Sequence, residues 1–105
     1  MKKYSLFELK PCQGHFLSGL IFEGKRLGRG GLHFFKPNEE SHAGETHTHE
    51  DEEVFINLQG KAALYINGEP HPFEMGEIVI IEPGEEHHII ADAADPSLNL
   101  WLHAE

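Results

Sequence analysis

The chain has 105 residues, with 8 Lys plus Arg against 18 Asp plus Glu for a formal charge of −10, so it makes one domain and offers no cationic surface to nucleic acid. An apolar fraction of 39% with 10% aromatics lets burial offset the entropy of ordering and excludes a disordered chain. No apolar run approaches the length of a membrane span, the single Cys12 cannot close an intrachain disulfide, and no apolar run follows the first ten residues, so a reducing cytoplasm is expected.

In chain order, apolar residues come in short alternating or continuous segments closed by Gly, Pro, Asn or Asp, the pattern of an all-β fold. Strands are expected over 16–22, 31–36, 46–49, 53–59, 61–66, 71–73, 77–81, 87–91 and 98–103. Turns are expected at 28–31, 37–38, 60, 67–68, 83–84 and 95–96. Asn67–Gly68 is the clearest of them, since a type I′ hairpin needs positive φ at both central residues. Many short strands with turns about every ten residues indicate a sandwich or barrel. Residues 1–29 read as an N-terminal arm with edge strands that can cover open edges or form a dimer, and 30–105 as the barrel proper.

Histidine is the compositional anomaly, with nine copies. His47 and His49, in THTHEDEEVFINLQG, face one side of an extended backbone at a Cα separation of about 6.6 Å. Glu53 shares their parity, but a straight strand would carry it about 20 Å from His47. The chain must therefore turn through the polar residues 50–52 and set His49 opposite Glu53 on adjacent antiparallel strands. A His-x-His pair alone arises about once by chance in this composition, whereas the pair with Glu53 and Gly60 at their spacings arises about once in a hundred.

Alternation from Glu53 turns Phe55 and Asn57 inward and Val54, Ile56 and Leu58 outward. Both faces are rather apolar, so the outer one is expected to be covered, by a second copy in a homodimer or by a second layer of the monomer. In the last strand Leu98, Leu100 and Leu102 alternate with Asn99, Trp101 and His103, and Trp101 either lines the pocket or caps the barrel. Phe55, Asn57 and Trp101 are the candidate pocket residues. His88 has the parity opposite to His87 and is expected to face outward into solvent or toward a partner subunit. His42 lies in the loop before the site and could enter its surroundings or approach substrate, while His15, His33, His71 and His103 have no spacing partner, and all five read first as surface or satisfied core. Cys12 lacks a basic neighbour, no Gly-x-Ser-x-Gly occurs, and Gly28–Gly31 precedes a strand rather than a helix, so neither nucleophilic catalysis nor phosphate cradling is supported.

At His47, His49, Glu53 and Gly60 the chain resembles the first motif of the cupins, with Ser41 at the usual leading Gly and Gly44 able to stand in for it. In GEIVIIEPGEEHHIIA, Gly76, Gly84 and His87 fall on the second cupin motif, with Glu82 at the usual Pro, Pro83 one place later, and Ala91 at the usual Asn. The resemblance covers roughly residues 30 to 103 and implies a small, single-domain, RmlC-like jelly-roll barrel, an antiparallel double-stranded β-helix. It also implies a divalent metal held by His47, His49, Glu53 and His87. A three-histidine, one-carboxylate set suits Zn, Fe, Mn, Ni or Cu. The resemblance to small cupins then implies a metal-dependent enzyme on a small oxygenated organic molecule, of dioxygenase or isomerase type. Glu53 would serve as ligand or, if it swings free, as general base. The alternative is a non-catalytic module that binds a sugar-like molecule through the metal. The acidic chain lacks a basic clamp for a phosphorylated substrate. Because imidazoles must be neutral to ligate, metal affinity is expected to fall below about pH 6.5.

Overall fold

In the computed structural model the described residues are 1–9, 25–42 and 47–105. Among them are eight strands and no helix: β1 (Lys2–Ser5), β2 (Leu27–Phe34), β3 (Glu52–Gln59), β4 (Ala62–Ile66), β5 (Glu69–Phe73), β6 (Glu77–Ile81), β7 (His87–Ala91) and β8 (Leu98–Ala104). They form a five-stranded sheet in the order β1-β6-β3-β8-β2 and a three-stranded sheet in the order β5-β4-β7, with every pairing antiparallel. The architecture is the expected jelly-roll type, although the two sheets do not close into a barrel. No helix of the described residues is long and apolar enough to cross a membrane.

The core lies between the sheets. Phe55, Val79 and Ile81 from the larger sheet pack with Leu64, Ile66, Phe73, Ile89 and Ala91 from the smaller. Strand β6 explains why its sequence is continuous rather than alternating: Val79 and Ile81 enter this core while Ile78 and Ile80 join Val54 in a second cluster on the sheet's outer face. Tyr4, Leu9, Ile56 and Leu102 pack over that second cluster, so part of the outer face is covered by the chain itself. Leu32, Phe34 and Leu58 remain exposed.

Several expectations are corrected by this arrangement. Strand β1 carries no alternation that marks it in the sequence; it exists because it pairs with β6, Lys2 opposite Ile80 through Ser5 opposite Glu77, and covers that edge. The turn expected over 28–31 is instead the irregular first half of β2, which shifts register against β8 between Leu27 and Gly30. A Cβ on Gly30 would collide with the Trp101 carbonyl and the Leu102 side chain, so glycine serves close strand approach here rather than chain reversal. The strand expected over 46–49 is absent in its described part: His47, Thr48 and His49 lie outside any strand, held by hydrogen bonds from Gly84 N–H to the His49 carbonyl (3.0 Å) and from His87 N–H to the His47 carbonyl (3.2 Å). The expected strand over 16–22, with His15 and Cys12, lies outside the described residues, as do Gly44 and Thr46. The Asn67–Gly68 hairpin is present, with φ of 50° and 81°.

Candidate metal centre

Glu53 reaches the inner face through the register of β3, which places it opposite Ile81 on β6 and His103 on β8. His87 opens β7 in the facing sheet, and the 47–49 segment bridges the two sheets through its hydrogen bonds to 84 and 87. Three chain segments thus converge at one end of the inter-sheet space. His49 Nε2 and His87 Nε2 each lie 3.0 Å from Glu53 Oε1, and His103 Nε2 lies 3.3 Å from Oε2. The rings of His47, His49 and His87 pack mutually at centroid distances of 4.9 to 5.4 Å, and His42 stacks on His47 at 3.7 Å. His47, His49, Glu53 and His87 offer one ligand atom each within 4.8 Å of one another, a group able to hold a metal ion.

The donor chemistry fits a borderline divalent ion. His87 Nδ1 lies 2.9 Å from the Glu85 carbonyl and His49 Nδ1 2.7 Å from the Asp51 carbonyl, and since a carbonyl only accepts, both rings carry the proton on Nδ1. Their Nε2 atoms then remain for a ligand, the hydrogen-bonded arrangement typical of metal-binding imidazoles.

The electrostatics are set by mutual enclosure. Burial pushes the Glu53 carboxyl up, but hydrogen bonds from His87 and His49 and the charge of His103 outweigh it and hold the group below its ordinary value. Burial likewise pushes His87 down, yet hydrogen bonds to Glu53 and the Glu85 carbonyl leave it raised. Without an ion the two act as a carboxylate–imidazolium pair. His47 goes the other way, lowered by burial and by His42, His87 and His49, which keeps it neutral and ready to ligate.

Beside these groups opens a cavity of about 480 Å³, lined on its apolar side by Phe35, Phe55, Ile89 and Trp101. Trp101 therefore lines the pocket rather than capping the fold; its indole lies over Gly31 and meets His103 edge-on at 5.7 Å. Phe55 meets the ring of His87 at 5.8 Å. Asn57, expected beside them, is not among the lining residues: its amide donates to the carbonyls of Gly60 (3.1 Å) and Phe73 (3.0 Å) and accepts from Gln59 N–H (3.2 Å), which ties it to the backbone of the turn. His103, read as surface or satisfied core, instead touches Glu53; its parity puts it on the face of Trp101, but only the register of β8 against β3 brings it to the site. His88 faces away from the core, as its parity requires, and there stacks on Tyr65 at 4.7 Å between Glu40 and Glu86. His33 stacks on Phe35 and pairs with Glu39 at the cavity wall.

A family model described as the cupin domain matches residues 26–103. No curated protein matches the sequence. Among solved structures, a cupin protein from Bacteroides fragilis is 22% identical with a TM-score of 0.66, over 72% of this chain and 64% of that one. A Photorhabdus luminescens protein, plu4264, is 29% identical with a TM-score of 0.59, over 71% of this chain and 59% of that one. A Cupin 2 conserved barrel domain protein from Salinispora arenicola is 25% identical with a TM-score of 0.58, over 71% and 60%. The match therefore spans less than two thirds of the length of each of these proteins.

Proposed function

The chain belongs to the cupin domain family, and from that premise we propose that it is a metal-dependent enzyme acting on a small, unphosphorylated, oxygenated organic molecule, of dioxygenase or isomerase type. The observation that carries this reading is the join between the His47, His49, Glu53 and His87 group and a cavity of about 480 Å³, room for a small substrate next to the ligand atoms. A purely structural metal site would be closed on all sides. His47, His49, Glu53 and His87 would hold the ion. When bound, a divalent transition metal supplies Lewis-acid polarisation of a substrate oxygen.

The chain's own contributions follow from what lines the cavity. Phe35, Phe55 and Trp101 give apolar walls that exclude water and orient a flat or aliphatic substrate. Asn99, 3% exposed, brings a buried Oδ1 with no partner among the described residues, an acceptor suited to a substrate hydroxyl. Arg29 is the one Lys or Arg among the described lining residues and is paired with Glu105 at 3.1 Å, with Glu39 and Glu40 nearby, a poor clamp for a phosphate. Glu53 is the carboxylate placed to receive a substrate proton if it leaves the ion.

The test is turnover by metal-loaded protein. Oxygen consumption and isomerisation are followed across enols, thiols and keto-sugars, with Glu53→Ala at saturating metal expected to lose at least about 10²-fold in rate. Saturable binding without turnover would overturn the enzyme reading in favour of a binding module.

A further inference from the structure

The acidic run before β3 contains a carboxylate that the ligand set does not use. Asp51 lies between two histidines from distant parts of the chain: Oδ1 is 2.7 Å from His49 Nδ1, and Oδ2 is 2.9 Å from His103 Nδ1. His103, 7% exposed, presents its other nitrogen to Glu53 Oε2 at 3.3 Å, while Glu53 Oε1 faces His49 and His87. The two oxygens of Glu53 are therefore treated differently, one by the ligand rings and one by a ring that Asp51 holds from behind.

His49, Asp51 and His103 also gather ligand atoms within 4.8 Å, which raises a second ion as an alternative. One imidazole would not serve both ions. His49 Nδ1 also faces the Asp51 carbonyl at 2.7 Å and so carries its proton, and an imidazole bound to an ion through Nε2 would have no lone pair left for a second one.

We propose that Asp51 and His103 are positioning residues of this centre: Asp51 accepts Nδ1–H from His103 and fixes the ring, and the ring so held keeps its Nε2 edge against Glu53 Oε2, so that Oε1 stays turned toward His49 and His87. The arrangement differs for the three rings. His87 has a main-chain carbonyl behind it and His49 has the Asp51 carbonyl as well as Asp51 Oδ1, whereas the Nδ1 partner of His103 is the Asp51 side chain alone. Its orientation is thus the one that loses its whole Nδ1 support when the Asp51 carboxylate is removed. The consequence for an ion rests on the metal reading above; the arrangement of the ring does not.

Two measurements separate these. In metal-free, ¹⁵N-histidine-labelled protein, the Nδ1–H resonance of His103 is expected to vanish in Asp51→Ala and to persist in Asp51→Asn, whose amide oxygen still accepts. The Nδ1–H resonances of His49 and His87 should persist in both. In Co²⁺ competition titrations, Asp51→Ala and His103→Gln are each expected to weaken binding about 10- to 100-fold, with Asp51→Asn recovering part of the loss and the wild type taking one ion per chain. An unchanged His103 resonance in Asp51→Ala, affinity within twofold of wild type, or two ions per chain with one lost in Asp51→Ala would overturn the proposal. If the wild type took up no Co²⁺, the metal reading would fall, and the NMR measurement alone would decide the role of Asp51.

Discussion

Glu53 and Asn57 sit four residues apart on the same inward face of β3, 5% and 0% exposed, yet they do opposite things. Asn57 satisfies its amide with main-chain groups of Gly60, Phe73 and Gln59 and so fastens the turn after β3. Glu53 meets the side chains of His49, His87 and His103, drawn from a loop and two strands. A buried polar group that ends on the backbone is part of the scaffold; one that gathers titratable side chains from distant segments is a candidate functional group.

The sharpest way to break that comparison is to exchange the consequences. Glu53→Gln keeps the shape but removes the anion, and Co²⁺ affinity in a competition titration is expected to fall more than about 100-fold with a small change in thermal stability. Asn57→Ala is expected to do the reverse. It leaves two carbonyls and one N–H without partners, costing about 3 kcal/mol at about 1 kcal/mol each in a urea titration, while metal affinity stays within twofold. If Asn57→Ala weakened metal binding as much as Glu53→Gln, burial on that face would not separate the two roles.

Much of this was legible beforehand because it depends on local pattern. The spacing of His47, His49, Glu53 and Gly60 is set within fifteen residues, and the Asn67–Gly68 turn within two. Gly60 itself adopts φ of 69°, with the Pro96 carbonyl where a Cβ would stand, which explains why that motif position is glycine. What could not be read depends on pairing between distant strands. His103 belongs to the site because β8 lies against β3 with His103 opposite Glu53, a register that no local pattern carries. The same holds for β1, whose pairing with β6 comes from the far end of the chain. His47 and His49 present the converse case: their approach to Glu53 was anticipated, but a hairpin does not produce it, since the segment is pinned by the main chain at 84 and 87.

A gentler probe of the comparison is pH. Glu53 lies below its ordinary 4.5 and His87 above its ordinary 6.5 in the metal-free protein. The carboxylate's contribution to stability is complete above 4.5 and is lost as pH falls through the lowered value; the imidazolium's is complete below 6.5 and is lost as pH rises through the raised one. Taking wild type minus Glu53→Gln removes the part of the opposing His47 effect that comes from burial and the neighbouring histidines, so the stability difference is expected to be largest between 4.5 and 6.5 and to shrink on both sides. A bound ion replaces the proton on His87, and metal affinity should therefore keep rising as pH climbs beyond 6.5 through the raised value. A stability difference that is flat from pH 4 to 8 would mean the pair is not coupled as its geometry indicates.

The smallest expected effect lies at the cavity wall. Trp101 pairs with Phe55 across β8 and β3, and both face the cavity, but neither supplies a ligand atom. Trp101→Leu keeps an apolar wall while removing the flat surface over Gly31, so it is expected to raise KM about tenfold, the order of one lost aromatic contact. Co²⁺ affinity should stay within twofold and kcat should change little, because the wall binds substrate and transition state alike. The same substitution at Phe55 should also disturb the metal site, since that ring packs on His87. A Trp101→Leu variant that lost metal together with KM would place the indole in the ligand support rather than in the substrate wall.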